Sequence, residues 1–240
     1  MTGTLYLLPV PLDMTPDATA LHAALPASAL ARARELRHFV VEHAKSARAV
    51  LKRLCLPVPL QALSLAELNE HTPETALQDL ITPLLQGHDL GLMSEAGCPA
   101  VADPGARLVA LAHQRDARVV PLVGPSSLLL ALMASGLNGQ RFAFHGYLPA
   151  KVEARGQAIR ELERESRVRQ QTQIFIETPY RNPALFAALL QYAHPNTLLC
   201  LATDLTLPGE SVRTRAIREW RKHPAPDCSH RPTVFLLAVG

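Results

Sequence analysis

Long apolar runs are missing from this 240-residue sequence. The longest strictly apolar stretch, residues 128–134, falls far short of the about 20 residues that a membrane helix requires. No membrane association is expected. No basic segment precedes the first apolar run either, so a secretory signal is not expected and the sequence reads as cytoplasmic. There are only four cysteines, Cys55, Cys98, Cys200 and Cys228, and no Cys-x-x-Cys pair. That removes the usual zinc and dithiol frameworks and leaves reduced, buried or incidental thiols. Glycine numbers 12 and shows no period, which excludes a collagen-like chain. Several catalytic signatures are also absent. There is no Gly-x-Gly-x-x-Gly after the first strand, no Walker A loop, no Gly-x-Ser-x-Gly elbow and no His-x-x-x-His pair among ten scattered histidines. Classical dinucleotide, NTPase, acyl-transfer and zinc chemistry are therefore unsupported, and no metal is expected.

What remains is globular composition, 48% apolar and 19% charged, enough for a full core. Net charge is a mild +3, compatible with an anionic partner. Its distribution is uneven. Seven Lys/Arg lie between Arg32 and Arg53, against Glu35 and Glu42. A second cluster holds Arg213, Arg215, Arg218, Arg221 and Lys222.

Strand and helix signals alternate through the first half. Strands are expected over 4–10, 38–42, 61–65, 89–94 and 118–123. Helices are expected between them: from a Thr15-Pro16 start to about residue 37 with a break at Pro26, then over 45–54, 73–86 and 107–114. In 45–54, Ala47, Val50, Leu51 and Leu54 share one face, with Lys45, Arg48 and Lys52 opposite. This alternation predicts βαβ units and a mostly parallel sheet. Gly124-Pro125 breaks the pattern. A helix over 126–135 follows, apolar nearly all round and so expected to be buried, with Gly136 placed to stop it. Later strands are expected over 142–147, 173–177, 197–203, 213–220 and 233–239, and helices over 152–167 and 183–192. The last two strands have no expected helix between them, which predicts a mixed sheet. The expected organisation is two α/β domains, 1–123 and 124–240. Ligands of parallel α/β sheets bind at the carboxyl ends of the strands, which directs attention to the loops at 9–13, 94–105 and 124–127.

These loops carry a resemblance. Gly3-Thr4-Leu5-Tyr6-Leu7-Leu8-Pro9-Val10-Pro11 resembles the opening of the tetrapyrrole methylase superfamily, in its branch of small-subunit ribosomal RNA ribose methyltransferases. Ser94-Glu95-Ala96-Gly97-Cys98-Pro99 with Asp103-Pro104-Gly105 is similar to that branch's Ser-Asp-Ala-Gly-Thr-Pro…Ser-Asp-Pro-Gly. Val120–Ser127 with Ala134-Ser135-Gly136-Leu137, then Gly146-Tyr147-Leu148-Pro149, then Glu177-Thr178-Pro179-Tyr180-Arg181 resemble further segments, in order.

The resemblance implies S-adenosyl-L-methionine as methyl donor, a donor site in the cleft between the two α/β domains (the tetrapyrrole methylase fold), and a homodimer. Carried over residue by residue, donor contacts are implied for Pro9, Val10, Pro11, Leu12, Glu95, Ala96, Gly97, Cys98, Ala100, Ser126 and Ser127. Ribosomal RNA is the expected acceptor. A small molecule such as a tetrapyrrole, and a non-catalytic module binding the donor or its demethylated product, stay as alternatives. Lys45, Arg48, Glu177 and Arg181 are candidates for substrate binding, and a basic stripe of Lys45, Arg48, Lys52 and Arg53 suits phosphate. No catalytic residue is assigned; the candidates are Glu42, His43 and Lys45, with His43 the candidate general base. Asp103 is expected to cap the helix after it.

The sequence also departs from that branch. Glu42-His43-Ala44-Lys45 stands where Glu-Asp-Thr-Arg is found, and Thr203-Asp204-Leu205-Thr206-Leu207 where Arg-Glu-Leu-Thr-Lys is found. Glu95 replaces Asp, and a C-terminal extension is not expected beyond Gly240. The substrate side is expected to differ more than the donor side.

Overall fold

Short runs of β-formers in the first half pair side by side while the intervening amphipathic segments cover them. The computed structural model describes residues 2–12 and 19–240; the expected helix start at Thr15-Pro16 lies outside them. The chain divides into two units, Met1–Ser126 and Ser127–Gly240.

In the first unit the elements are β1 (Thr4–Leu7), α1 (Thr19–Ala24), α2 (Ala27–Glu35), β2 (His38–Val41), α3 (Ala44–Arg53), β3 (Ser64–Glu67), α4 (Leu77–Leu85), β4 (Leu90–Met93), α5 (Ala106–Gln114) and β5 (Arg118–Pro121). The sheet order is β3-β2-β4-β1-β5 and every pair is parallel. Side chains alternate across the sheet. Tyr6 and Phe39 join Leu21, Leu30, Val50 and Leu51 of α1–α3 on one face. Leu5 and Val40 join Ile81, Leu84, Leu108 and Leu111 of α4 and α5 on the other. Gly91 makes room for this packing, since a Cβ there would come 2.7 Å from the Phe39 ring.

The order of the strands has a directional consequence. From β2 the chain moves outward to β3, whereas from β4 it moves the opposite way, past β1, to β5. Neighbouring β2 and β4 thus send their connections apart at their carboxyl ends, the place where open parallel sheets form a ligand crevice.

The second unit contains α6 (Ser127–Ser135), β6 (Phe142–Tyr147), α7 (Val152–Arg169), β7 (Thr172–Ile176), α8 (Asn182–Tyr192), β8 (Leu198–Thr203), β9 (Ser211–Ala216), α9 (Ile217–Trp220) and β10 (Thr233–Ala238). Its sheet order is β6-β7-β10-β8-β9, with only β6–β7 parallel. Helices α7–α9 cover the face bearing Phe175, Leu201 and Phe235, and α6 covers the face bearing Ile174, Cys200 and Leu236.

Several expectations need correction. The strand expected over 61–65 lies at Ser64–Glu67, after a 3-10 turn at Leu60–Ala62. The helix expected over 73–86 begins as a 3-10 turn, Glu74–Ala76, before α4. The strand expected over 213–220 ends at Ala216 and turns into α9. A helix therefore does stand between β9 and β10; the sheet is mixed because β10 inserts antiparallel between β7 and β8. The turn at 217–220 seats Trp220 edge-on against Phe186 and gives its indole N–H to the Leu199 carbonyl at 2.9 Å. The uniformly apolar α6 is not buried all round. Ala131, Leu132 and Ser135 are buried, while Leu129 and Met133 are 50% and 78% exposed. A helix on one side of a sheet has only one covered face, whatever its composition.

Phe235 is fully buried and stacks on Phe175 at 5.9 Å. Phe235→Ala is expected to remove about 3–5 kcal/mol from the stability of the second unit, read as a lower urea unfolding midpoint.

Candidate donor and acceptor site

The sheet order dictates which loops meet. Because β4 and β1 are neighbours, so are the loops that leave them. Val10 and Gly97 form an isolated antiparallel bridge: Val10 N–H donates to Gly97 O at 2.9 Å and Gly97 N–H to Val10 O at 2.6 Å. The loop after β5 joins them. The Cys98 thiol is 3.4 Å from Pro125 O, and a Cβ on Gly124 would come 2.4 Å from the Pro9 ring. Pro9, Val10, Pro11, Leu12, Glu95, Ala96, Gly97, Cys98, Ala100 and Ser126 are thereby gathered in one unit. Ser127 opens α6 as the first residue of the other.

The β4 loop is held in a demanding conformation. Gly97 has φ +80°, and Ala100 and Ala102 have φ +68° and +57°. For alanine this left-handed geometry costs about 1 kcal/mol each and persists only when neighbours enforce it. Asp103 is the enforcer. Its Oδ1 accepts N–H bonds from Ala100 at 2.9 Å and Gly105 at 2.6 Å. It does not cap α5, as expected from sequence; the capping position is Gly105 and carries no side-chain bond. Beside Gly97 nothing lies within 4 Å of where a Cβ would stand, so that backbone faces open space.

Carboxylates surround the ends of β2 and β4. Glu42 Oε2 accepts the Glu95 N–H at 3.1 Å, and Glu42 N–H donates to Met93 O. Ser46 Oγ donates to Glu95 Oε1 at 3.1 Å, and Glu67 Oε1 accepts the Ala44 N–H at 2.7 Å. Both acids lie at the start of α3, where the helix dipole favours negative charge. Burial pushes the Glu42 carboxyl above its ordinary value, aided by repulsion from Asp103, Glu95 and Glu70 and opposed by the Glu95 N–H bond. Burial likewise raises Asp103, against its two N–H bonds. The half-buried Cys98 thiol is also raised by burial, which keeps it protonated.

Such a site suits a small zwitterion carrying a ribose and an adenine. The space beside Gly97 admits a ligand close to the backbone, Glu95 suits an ammonium, and Pro9 and Pro11 retain only carbonyl acceptors beside an apolar wall. Among the described residues no group of three or more His, Cys, Asp or Glu is placed to hold a metal ion, and no helix is long and apolar enough to cross a membrane.

The other candidates fall out differently. His43 is the N-cap of α3, its Nδ1 accepting the Lys45 N–H at 3.3 Å. The Nδ1 lone pair is thus engaged at the helix start. Lys45, Arg48 and Lys52 form an exposed stripe along α3, none ion-paired among the described residues. Arg53 leaves the expected stripe and is buried, because one residue beyond Lys52 is about 100° further round the helix. Glu177 and Arg181 form a bond at 2.7 Å in the second unit, with the Glu177 side chain fully buried and also accepting the Thr178 N–H. Thr203, where the sequence departs from arginine, is buried and hydrogen-bonded to Thr233 at 3.1 Å. Ser46 and Glu67 were not singled out from sequence. Their partners lie 49 and 23 residues away, with no local pattern to signal them.

Comparison with known proteins gives a consistent outcome. No family model matches the chain. Ribosomal RNA small subunit methyltransferase I of Xylella fastidiosa is 32% identical over 241 aligned residues, covering 99% of this chain and 81% of that protein. The protein of the same name from Escherichia coli O157:H7 is 31% identical, covering 99% and 77%. Among solved structures, the methyltransferase CobJ aligns with TM-score 0.62 at 16% identity, and a uroporphyrin-III-C-methyltransferase from Thermus thermophilus with 0.52 at 19%. Each covers 99% of this chain and 93% of the neighbour, and at such identities the likeness is one of fold.

The raised Glu42 carboxyl has a pH signature. Folded Glu42 binds its proton more tightly than in the unfolded chain, where 4.5 is ordinary. Its favourable contribution is present below that value and is lost as pH rises through the raised folded value. Glu42→Gln keeps an acceptor for the Glu95 N–H and carries no charge. The variant is expected to unfold at higher urea than wild type at pH 8, with the difference closing at pH 4.

Proposed function

Since this chain belongs to the family of ribosomal RNA small subunit methyltransferase I, we propose that it transfers a methyl group from S-adenosyl-L-methionine to RNA of the small ribosomal subunit, in the cytoplasm. The observation that supports this most directly is the Val10–Gly97 bridge. It joins two of the loops that carry the sequence resemblance. A tetrapyrrole acceptor has only the likeness of fold in its favour.

When bound, the donor supplies a methyl group already activated by its sulfonium. The chain's task is to position the acceptor and receive its proton. In this proposal Pro9–Leu12 and Glu95–Ala100 hold the donor, Glu95 toward its ammonium. Glu42 receives the proton of the acceptor hydroxyl at Oε1, the oxygen not engaged by the Glu95 N–H. Its raised affinity for protons improves it as a base over an ordinary carboxylate. Lys45, Arg48 and Lys52 hold RNA phosphates. Glu177 and Arg181 form an ion pair, buried on the Glu177 side, whose role in this reading is to set the loop after β7. A homodimer belongs to the proposal and is tested by sedimentation.

Calorimetric titration with S-adenosylmethionine and S-adenosylhomocysteine is expected to show one site per chain. Labelled methyl groups are expected to enter small-subunit RNA from a strain lacking this activity. Donor binding without any labelling would point to a non-catalytic module; binding of neither ligand would withdraw the methyltransferase reading. Glu42→Gln is expected to slow transfer about 100-fold or more with donor affinity retained. Lys45→Glu with Lys52→Glu is expected to weaken RNA binding and flatten its salt dependence, again with donor affinity unchanged.

A further inference from the structure

The second basic cluster of the sequence separates into spent and unspent charges. Arg218 donates to Asn196 Oδ1 at 2.6 Å, Lys222 lies 3.0 Å from Glu219, and Arg221 donates to Leu190 O at 3.0 Å. Arg213 and Arg215 remain, and among the described residues neither guanidinium has a hydrogen-bond or ion-pair acceptor. They stand two apart on β9, so they leave the sheet on one face. Both line a cavity of about 290 Å³, together with Thr203, Ser211, Trp220 and Arg231.

The walls of this cavity are fixed. Arg231 is held by Asp204 Oδ2 at 2.7 Å, Gly209 O at 2.7 Å and Asp227 O at 2.9 Å. Arg215 lies 5.1 Å over the Trp220 ring, a cation–π contact that restricts its guanidinium. The carboxylate on the lining is Asp227, 3.6 Å from Arg231. Arg213 and Arg215 thus face one space with like charge. An anion between them converts that repulsion into charge-assisted hydrogen bonds, and the planar fork of arginine matches phosphate oxygens two at a time. The cavity is at the lower end of the size range of ligand pockets, about 300 Å³. It suits one phosphate with its sugar rather than a duplex.

We propose that this cavity binds a phosphodiester group of the RNA acceptor, held by Arg213 and Arg215. The proposal rests on the RNA reading above and adds to it a second phosphate site, in the second unit and independent of the α3 stripe.

Trp220 is the single tryptophan of the chain, so its fluorescence reports on the cavity directly. Full-length wild type, Arg213→Gln/Arg215→Gln and Arg213→Lys/Arg215→Lys are titrated with small-subunit ribosomal RNA and, separately, with inorganic phosphate against chloride at matched ionic strength. Thermal midpoint and S-adenosylmethionine affinity serve as controls for folding and are expected to be unchanged. The Gln pair is expected to bind RNA about 10-fold more weakly, with a log–log salt slope flatter by about 1–2, and the Lys pair to recover part of this. Phosphate is expected to give a saturable fluorescence change in wild type that the Gln pair lacks. Equal RNA affinity and salt slope in the Gln pair overturn the cavity site while the RNA reading stands. If wild type binds no RNA, the RNA reading has failed and the RNA ligand of this cavity with it. A saturable phosphate response lost in the Gln pair then marks a site for a free anion instead.

Discussion

Two backbone hydrogen bonds between Val10 and Gly97 hold the candidate site together. They are possible because β1 and β4 are sheet neighbours and because Gly97 adopts φ +80°. Around them the rest is secured in sequence. Asp103 ties Ala100 and Gly105, Cys98 reaches the β5 loop, and Glu42 fastens Glu95 across the point where the chain reverses direction. The bonds that shape the loops use mainly backbone groups and carboxylates, so small side chains suffice there. This explains why the loop sequence is rich in Ala, Gly, Pro and Ser.

Charge is divided by place. The strand ends of the first unit gather Glu42, Glu67, Glu95 and Asp103, and burial raises the proton affinity of Glu42 and Asp103. Cations without an ion-pair partner among the described residues stand elsewhere, on the outer face of α3 and in the cavity beside β9. In the proposals above, the carboxylate site takes an ammonium and a proton and the arginine cavity a phosphate. The mild net charge of +3 conceals this separation, which is why composition alone says little about the partner.

Much of the fold was legible because it is written locally. Apolar spacing marks α3, with Ala47, Val50 and Leu51 buried and Lys45, Arg48 and Lys52 exposed. Alternating strands and helices give the parallel first sheet. The errors came where local pattern and packing disagree. Residues 217–220 have strand-forming neighbours but turn into a helix so that Trp220 can pack on Phe186. The apolar composition of α6 implied burial on every side, yet one sheet covers one face of it.

The sequence by itself determined most of the secondary structure, the apolar face of α3 and the loops that resemble a methyltransferase's, because each of these depends on residues within a turn or two of one another. Only the tertiary structure decided which loops meet and which charges are left unpaired. Strand order places Val10 on Gly97 and Glu42 on Glu95, and a basic cluster contiguous in sequence loses Arg218, Arg221 and Lys222 to nearby partners while the Arg213 and Arg215 guanidiniums have no acceptor among the described residues. These outcomes depend on hydrogen bonds between segments tens of residues apart, and no local periodicity encodes such pairings.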